Sequence, residues 1–306
     1  MQGSCTAWSV AYALKSHQEE LKRGWGVKNS AHQFSPSFVY NQLCGGVDNG
    51  IYISSAMSLI VSMGVCSLAS FPYNDYDFTT QPTSPQRIEA LEYKAISWNT
   101  IVGGDAIKTR LAEGDGVVIG ISVYPDFSLN NSNPIYDIKY GPLIGYHAIC
   151  LVGYDDSLQA YKFMNSWGST YGNGGYGWIS YDMLYDPDIS IYGVAVGYVM
   201  NMQPVSPPIT LALNIPEDIA ITPGGGRREV QFTAPAAGMY FFESSNRNTL
   251  DPKAYVAATG SAFLDDDSVD GWNYRFQQTL ATGQTFTFFS GVYGDLIVNG
   301  SYKVTV

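Results

Sequence analysis

His147-Ala148-Ile149-Cys150-Leu151-Val152-Gly153 and Ala160-Tyr161-Lys162-Phe163-Met164-Asn165 read as two strands flanking a turn at Asp155-Asp156-Ser157. A turn centred on Asp156 sets His147 directly across the ladder from Asn165, where facing Cβ atoms stand about 4.5–5.5 Å apart. An asparagine there can hold one imidazole nitrogen and leave the other aimed at a thiol. The expectation hangs on the turn centre, because a one-residue slip sends Asn165 to the other face. A lone histidine opening a strand is more often structural, and a lone asparagine is more often a turn residue. Their pairing is what singles them out.

The thiol such a pair needs stands near the start of the chain. Ser4 reads as the cap of a helix opening at Cys5, with Ala7, Val10, Ala11 and Leu14 at helical spacing and Gly24 or Gly26 as the stop. Unpaired amides and the dipole at a helix start stabilise an anion, which draws a thiol pKa below its usual value of about 8.5. The plainer reading of Cys5 is a small buried residue where a helix begins. Further helices start at Ser35-Pro36, run from Tyr52 to Met63 up to Gly64, and run from Asp105 to Glu113 up to Gly114. Strands follow at Val117 to Val123, Gly177 to Ser180 and Val194 to Met200. Helices first and strands later is an α+β order.

Bulk properties narrow the class. The 306 residues suffice for two domains, and 45% apolar with 14% charged residues describes a globular chain. A net charge of −11 lacks the basic face that a phosphate backbone requires, so no nucleic acid partner is expected. No apolar run is long enough for a membrane-spanning helix, and the first residues have neither the basic start nor the apolar centre of a signal peptide. Cys5, Cys44, Cys66 and Cys150, with three scattered histidines, lack the paired spacing of a zinc site. No metal is expected.

Three motifs carry a family resemblance. Gly3-Ser4-Cys5-Thr6-Ala7-Trp8-Ser9 resembles the nucleophile segment of papain-like cysteine peptidases, particularly bacterial members with Thr-Ala after the cysteine. Gly145-Tyr146-His147-Ala148 with Leu151-Val152-Gly153-Tyr154 resembles the family's histidine strand. Asn165-Ser166-Trp167-Gly168 and Tyr171-Gly172-Asn173-Gly174-Gly175-Tyr176 resemble its asparagine segment. Gly64-Val65-Cys66 to Phe71-Pro72-Tyr73 is similar to the family's middle.

The resemblance implies a papain-like two-lobed domain over residues 1–203, with a helical lobe and an antiparallel β lobe. It also implies peptide-bond hydrolysis without a cofactor, on protein or peptide substrates. Cys5 would be the nucleophile, His147 its base and Asn165 the group orienting His147. Trp167 would shield that contact, and the Cys5 backbone N–H would supply one oxyanion donor. Gly50, with Gly45 and Gly46 as rivals, and Ala148 would line the substrate cleft; plain turn geometry is the other reading of the glycines. Cys44 and Cys66 would be either bridged or two buried thiols, and Cys150 a core residue. The family's oxyanion glutamine, six residues before the nucleophile, has no counterpart. Gln2 reads as solvent-facing, and the chain as truncated at its start and weakened by it.

Gln203-Pro204-Val205-Ser206-Pro207-Pro208 reads as a linker, since its prolines fit neither helix nor central strand. Beyond it, alternating segments such as Glu229-Val230-Gln231-Phe232-Thr233 and Thr285-Phe286-Thr287-Phe288 predict a small all-β domain over 209–306. That segment resembles the β-sandwich at the C-terminal end of secreted bacterial peptidases, which implies a secreted or cell-surface protein. Asp265-Asp266-Asp267 is a candidate calcium ligand set, or simply a solvated acidic loop. Two other functions stay open: a non-catalytic papain-fold protein that captures peptides or glycans, and a transglutaminase-like acyl transferase. Asn165 where that transferase would carry an aspartate weighs against the last.

Overall fold

The structure is a computed structural model that describes residues 2–190, 194–202, 208–221, 228–245, 250–256, 263–265, 273–292 and 300–306. Chain contacts divide it into two compact units, Met1–Gln203 and Pro204–Val306. The proposed linker lies almost wholly outside the described residues, as do Asp266 and Asp267 of the acidic cluster.

In the first unit one continuous helical stretch starts at Cys5, but it is not uniform. It is α-helical over Cys5–Ala7, π-helical over Trp8–Lys15 and α-helical again over Ser16–Arg23. Gly24, in the left-handed conformation, ends it and donates to Glu20 O at 2.7 Å. Ser4 does not cap it with its side chain, as the sequence suggested; its hydroxyl is hydrogen-bonded to Tyr73 Oη at 3.0 Å instead. The apolar stripe does what its spacing predicts. Ala7, Val10, Ala11 and Leu14 are buried together with Phe38, Ala56, Ile60 and Tyr93, which form the core of a helical lobe.

The helices around it start where the local chemistry directs. Ser35 accepts from Phe38 N and caps Pro36–Leu43, while Ile53–Met63 stops at Gly64. Gly64 cannot be exchanged, since a Cβ there would lie 1.7 Å from Ala90 O. A helix over Ser84–Leu91 is additional to the sequence reading, its start tied by Gln86 Oε1 accepting from Thr83 N at 2.8 Å. Gly104–Ala112 completes the set before the strands, apart from one. Ala95–Val102, also additional, is an edge strand paired along its length with Val196–Met202.

Seven strands among the described residues form one sheet. Its centre runs Val196–Met202, Val117–Val123, Gly145–Asp155, Ala160–Met164 and Tyr176–Ser180, all antiparallel. Ile135–Tyr136 adds one parallel pairing at the far edge. A second core of Ile119, Ile121, Phe127, Ile149, Phe163 and Ile179 lies in this β lobe.

The hairpin exists, but its register differs from the expected one. The loop runs over 156–159 between Asp155 and Ala160, so the turn is not centred on Asp156. Asp155 Oδ1 accepts from Ser157 N and Leu158 N and winds the turn past the expected centre, and Gln159 takes a left-handed φ of 49°. Near the turn Tyr154 faces Tyr161 and Gly153 faces Lys162; then Val152 is skipped, and Leu151 faces Phe163. This bulge restores the face. Without it the ladder would carry Asn165 to the side opposite His147.

Among the described residues the second unit holds a five-stranded and a four-stranded sheet. Arg228–Thr233 and Thr285–Val292 pair with each other in the first, and Gly238–Ser245 pairs with Arg275–Leu280 in the second. Val230, Phe232 and Phe288 from one sheet share a core with Ile219, Phe242 and Tyr302 from the other. No helix among the described residues is long and apolar enough to cross a membrane.

Candidate active site

Asn165 follows the last residue of its strand, and its backbone N donates to Gly175 O at 2.9 Å. The return loop depends on Gly172, where an added Cβ would lie 2.0 Å from Tyr176 O. Asn165 Oδ1 then accepts from Ser166 N at 2.8 Å and lies 2.8 Å from His147 Nε2. The Ser166 amide can only donate, which settles the orientation of the Asn165 amide. Nε2 must therefore carry the proton, and Nδ1 is the ring nitrogen left free for other chemistry. Both side chains are buried, at 8% exposure each.

Aromatic rings close the far side. Trp167 lies 4.9 Å from the His147 ring, and Phe127 packs edge-on against His147 at 5.7 Å and against Trp167 at 5.3 Å. Tyr171 Oη donates to Phe127 O at 2.9 Å and fixes that ring. Phe127 lies in a short 3-10 turn over Pro125–Phe127, and no pattern in the sequence marks it as part of this cluster.

Cys5 reaches the same strand from the helical lobe. Ser9 Oγ donates to Ala148 O at 2.9 Å and ties the helix to the residue after His147. Cys5 is half-buried. Burial pushes its thiol above the ordinary value, and the nearby backbone amides of Ala148 and Thr6, which favour the thiolate, only partly offset it. The helix start alone therefore does not make a thiolate, contrary to the sequence expectation. Burial also lowers His147, while the Asn165 hydrogen bond raises it. Cys5 and His147 thus each resist carrying charge where they stand.

The cleft-wall candidates separate. Gly50 stands against the nucleophile segment, its Cβ position 3.7 Å from Gly3 O, whereas Gly45 and Gly46 meet nothing within 4 Å. Ala148 is buried. Gln2 is not solvent-facing, as the sequence suggested: it is 7% exposed, with Nε2 3.5 Å from the carbonyls of Asn74 and Asp77. Cys44 and Cys66 are not bridged; the Cys44 thiol instead donates to Phe78 O at 3.2 Å. Cys66 and Cys150 are buried thiols. No cluster of metal-ligating side chains occurs among the described residues.

Asn165→Ala removes the oxygen that fixes both Ser166 N and His147 Nε2. Any reaction that uses the His147 ring is expected to slow about 10–100-fold through its misorientation. Steady-state kinetics checks this, and an unchanged kcat would mean that His147 is held by other contacts.

The sequence model described as papain family cysteine protease matches residues 2–193. An uncharacterized peptidase C1-like protein of Acanthamoeba polyphaga mimivirus is 27% identical over 208 residues, 61% of this chain and 65% of that protein. A cathepsin B-like protein of Giardia intestinalis is 27% identical over 186 residues, 57% and 60% of the two. This chain thus spans about three-fifths of the length of these curated relatives. Among solved structures, xylellain, a cysteine protease from Xylella fastidiosa, superposes with a TM-score of 0.57 at 25% identity, covering 66% of this chain and 80% of that one.

Proposed function

This chain belongs to the papain family of cysteine proteases, and on that premise we propose that it hydrolyses peptide bonds with Cys5 as nucleophile and His147 as acid and base. The carrying observation is the fixed tautomer of His147, whose Nε2 is bound to Asn165, while Ser9 Oγ ties the helix that opens at Cys5 to the carbonyl of Ala148, the next residue. Nδ1 takes the Cys5 proton, and the thiolate adds to the scissile carbonyl carbon. The Cys5 amide donates to the oxygen as it becomes negative. Collapse breaks the C–N bond, Nδ1 returns its proton to the leaving amine, and a thioester remains. Water then gives a proton to Nδ1 and adds to the thioester carbon; the C–S bond breaks to release the acid, and Nδ1 returns its proton to the Cys5 sulfur. Trp167 and Phe127 keep water from the His147–Asn165 contact. Ala148 forms the floor beside the nucleophile, and Gly50 the near wall.

The second unit we take as an accessory β-sandwich that assists a peptidase acting outside the cell, without catalytic groups of its own.

Cleavage of a denatured protein under reducing conditions, followed by mass spectrometry, tests the reading. Wild type is expected to release peptides and Cys5→Ala to lose at least about 10⁴-fold in rate. Peptide binding without cleavage by wild type would favour a capture protein, and cleavage persisting in Cys5→Ala would remove Cys5 from the chemistry.

A further inference from the structure

We propose that Asp48 is a positioning residue for Cys5, fixing through the Gly3-Ser4 approach the direction in which the Cys5 amide points. The inference rests on the peptidase reading above. The segment entering Cys5 has no covalent tie, since all four cysteines are free. It is held by Asp48 Oδ1, which accepts from Gly3 N at 2.8 Å. The same oxygen is hydrogen-bonded by Tyr40 Oη, whose ring is wholly buried in the helical lobe. Tyr40 Oη in turn accepts from Gly50 N at 3.3 Å, and Thr6 Oγ1 donates to Ile51 O at 3.0 Å.

The wall segment 48–51 and the nucleophile segment 3–6 are thus laced together on both sides of Cys5. The fit leaves no slack. A Cβ on Gly3 would lie 2.9 Å from Gly50 N and 3.2 Å from both Asp48 Oδ1 and Tyr40 Oη. Only a glycine lets the two backbones approach this closely.

The chemistry separates this role from a structural one. Addition to an acyl carbonyl builds an oxyanion that needs the Cys5 amide correctly aimed. Alkylation at the methylene carbon of iodoacetamide builds none, and it needs only the thiolate. Loss of the clamp should therefore slow acylation and spare alkylation.

The test compares single-turnover acylation by an activated peptide ester with iodoacetamide alkylation of Cys5, at one pH, in the full chain. Asp48→Ala is expected to lose about 10–100-fold in acylation, as for a slightly misdirected group, with alkylation within about twofold of wild type. Asp48→Asn keeps an oxygen for Gly3 N and should restore most of the acylation rate. Gly3→Ala should give the same split from the other side of the contact. Equal acylation in Asp48→Ala and wild type overturns the proposal. So does a parallel fall in both reactions with a lowered unfolding midpoint, because Asp48 would then be structural. A wild type that neither acylates nor cleaves removes the peptidase reading and this inference together, whereas an active wild type with an indifferent Asp48→Ala removes the inference alone.

Discussion

In His147→Ala, peptide turnover is expected to fall by about 10⁴-fold or more, in line with removal of the base from other nucleophile–base pairs. The reason is particular to this site. Burial pushes the Cys5 thiol up, and the backbone amides of Ala148 and Thr6 do not cancel it. Without His147 the thiol, its pKa raised by burial, keeps its proton at neutral pH. The sign of the pH effect follows. The Cys5 thiol of the variant ionises only above its raised pKa, so its residual activity should climb with pH through the alkaline range. The wild type should instead follow a bell set by the coupled pair. A variant that keeps a bell-shaped profile near neutral pH would mean that another base serves Cys5.

Glu19→Ala is expected to destabilise the first unit by about 3–5 kcal/mol, the range for breaking a buried ion pair from one side. Glu19 accepts from Lys15 Nζ at 2.7 Å and from Arg23 Nε at 2.6 Å, and the Lys15 and Glu19 side chains are wholly buried. Removing the carboxylate leaves Lys15 against the Met202 sulfur and the Phe34 ring, neither of which can balance its charge.

The pair also predicts a pH dependence. Burial lowers Lys15 from 10.5 to about 8, against the pull of Glu19. Between those values the unfolded chain holds a proton on Lys15 that the folded chain has released, so the contribution of Lys15 to stability rises with pH across that window. The full span corresponds to about 3 kcal/mol. For Glu19, burial works upward but Lys15 and Arg23 overcome it, so its pKa is lowered. Its contribution is present above the ordinary carboxyl range and is lost as pH falls through the folded value. Above about pH 9 the buried thiols Cys5, Cys66 and Cys150, raised by burial, pull stability the other way. The difference in urea midpoint between wild type and Lys15→Met from pH 7 to 10 therefore reads the Lys15 effect, and a difference that stays flat or falls would mean that water reaches the ammonium.

The sequence carried the elements further than their registration. The stripe Ala7, Val10, Ala11, Leu14 predicted a buried helix, because periodicity records which face is apolar. It could not record the π-helical winding over Trp8–Lys15, which depends on what packs against the helix. Val117–Val123 was legible as an apolar run because both of its faces are covered. Ala95–Val102 was not, since an edge strand with mixed exposure has no clean alternation.

His147 and Asn165 were expected to face each other through a turn at Asp156, and they meet by another route. Asp155 shifts the turn, the bulge at Val152 corrects the face, and a loop requiring Gly172 returns the side chain. Local propensity fixes none of these three. Phe127 and the Asp48 clamp were hidden for the same reason, being contacts between segments far apart in the chain.

The most direct test of the central claim is the pH dependence of iodoacetamide alkylation at Cys5, read by peptide mapping. Cys66 and Cys150, buried thiols pushed upward by burial, serve as internal controls. Fast Cys5 labelling is expected to persist down to about pH 5 and to be lost in His147→Ala, as for a thiolate held by an imidazolium. Labelling of wild-type Cys5 that appears only above about pH 8, like an ordinary thiol, would contradict it.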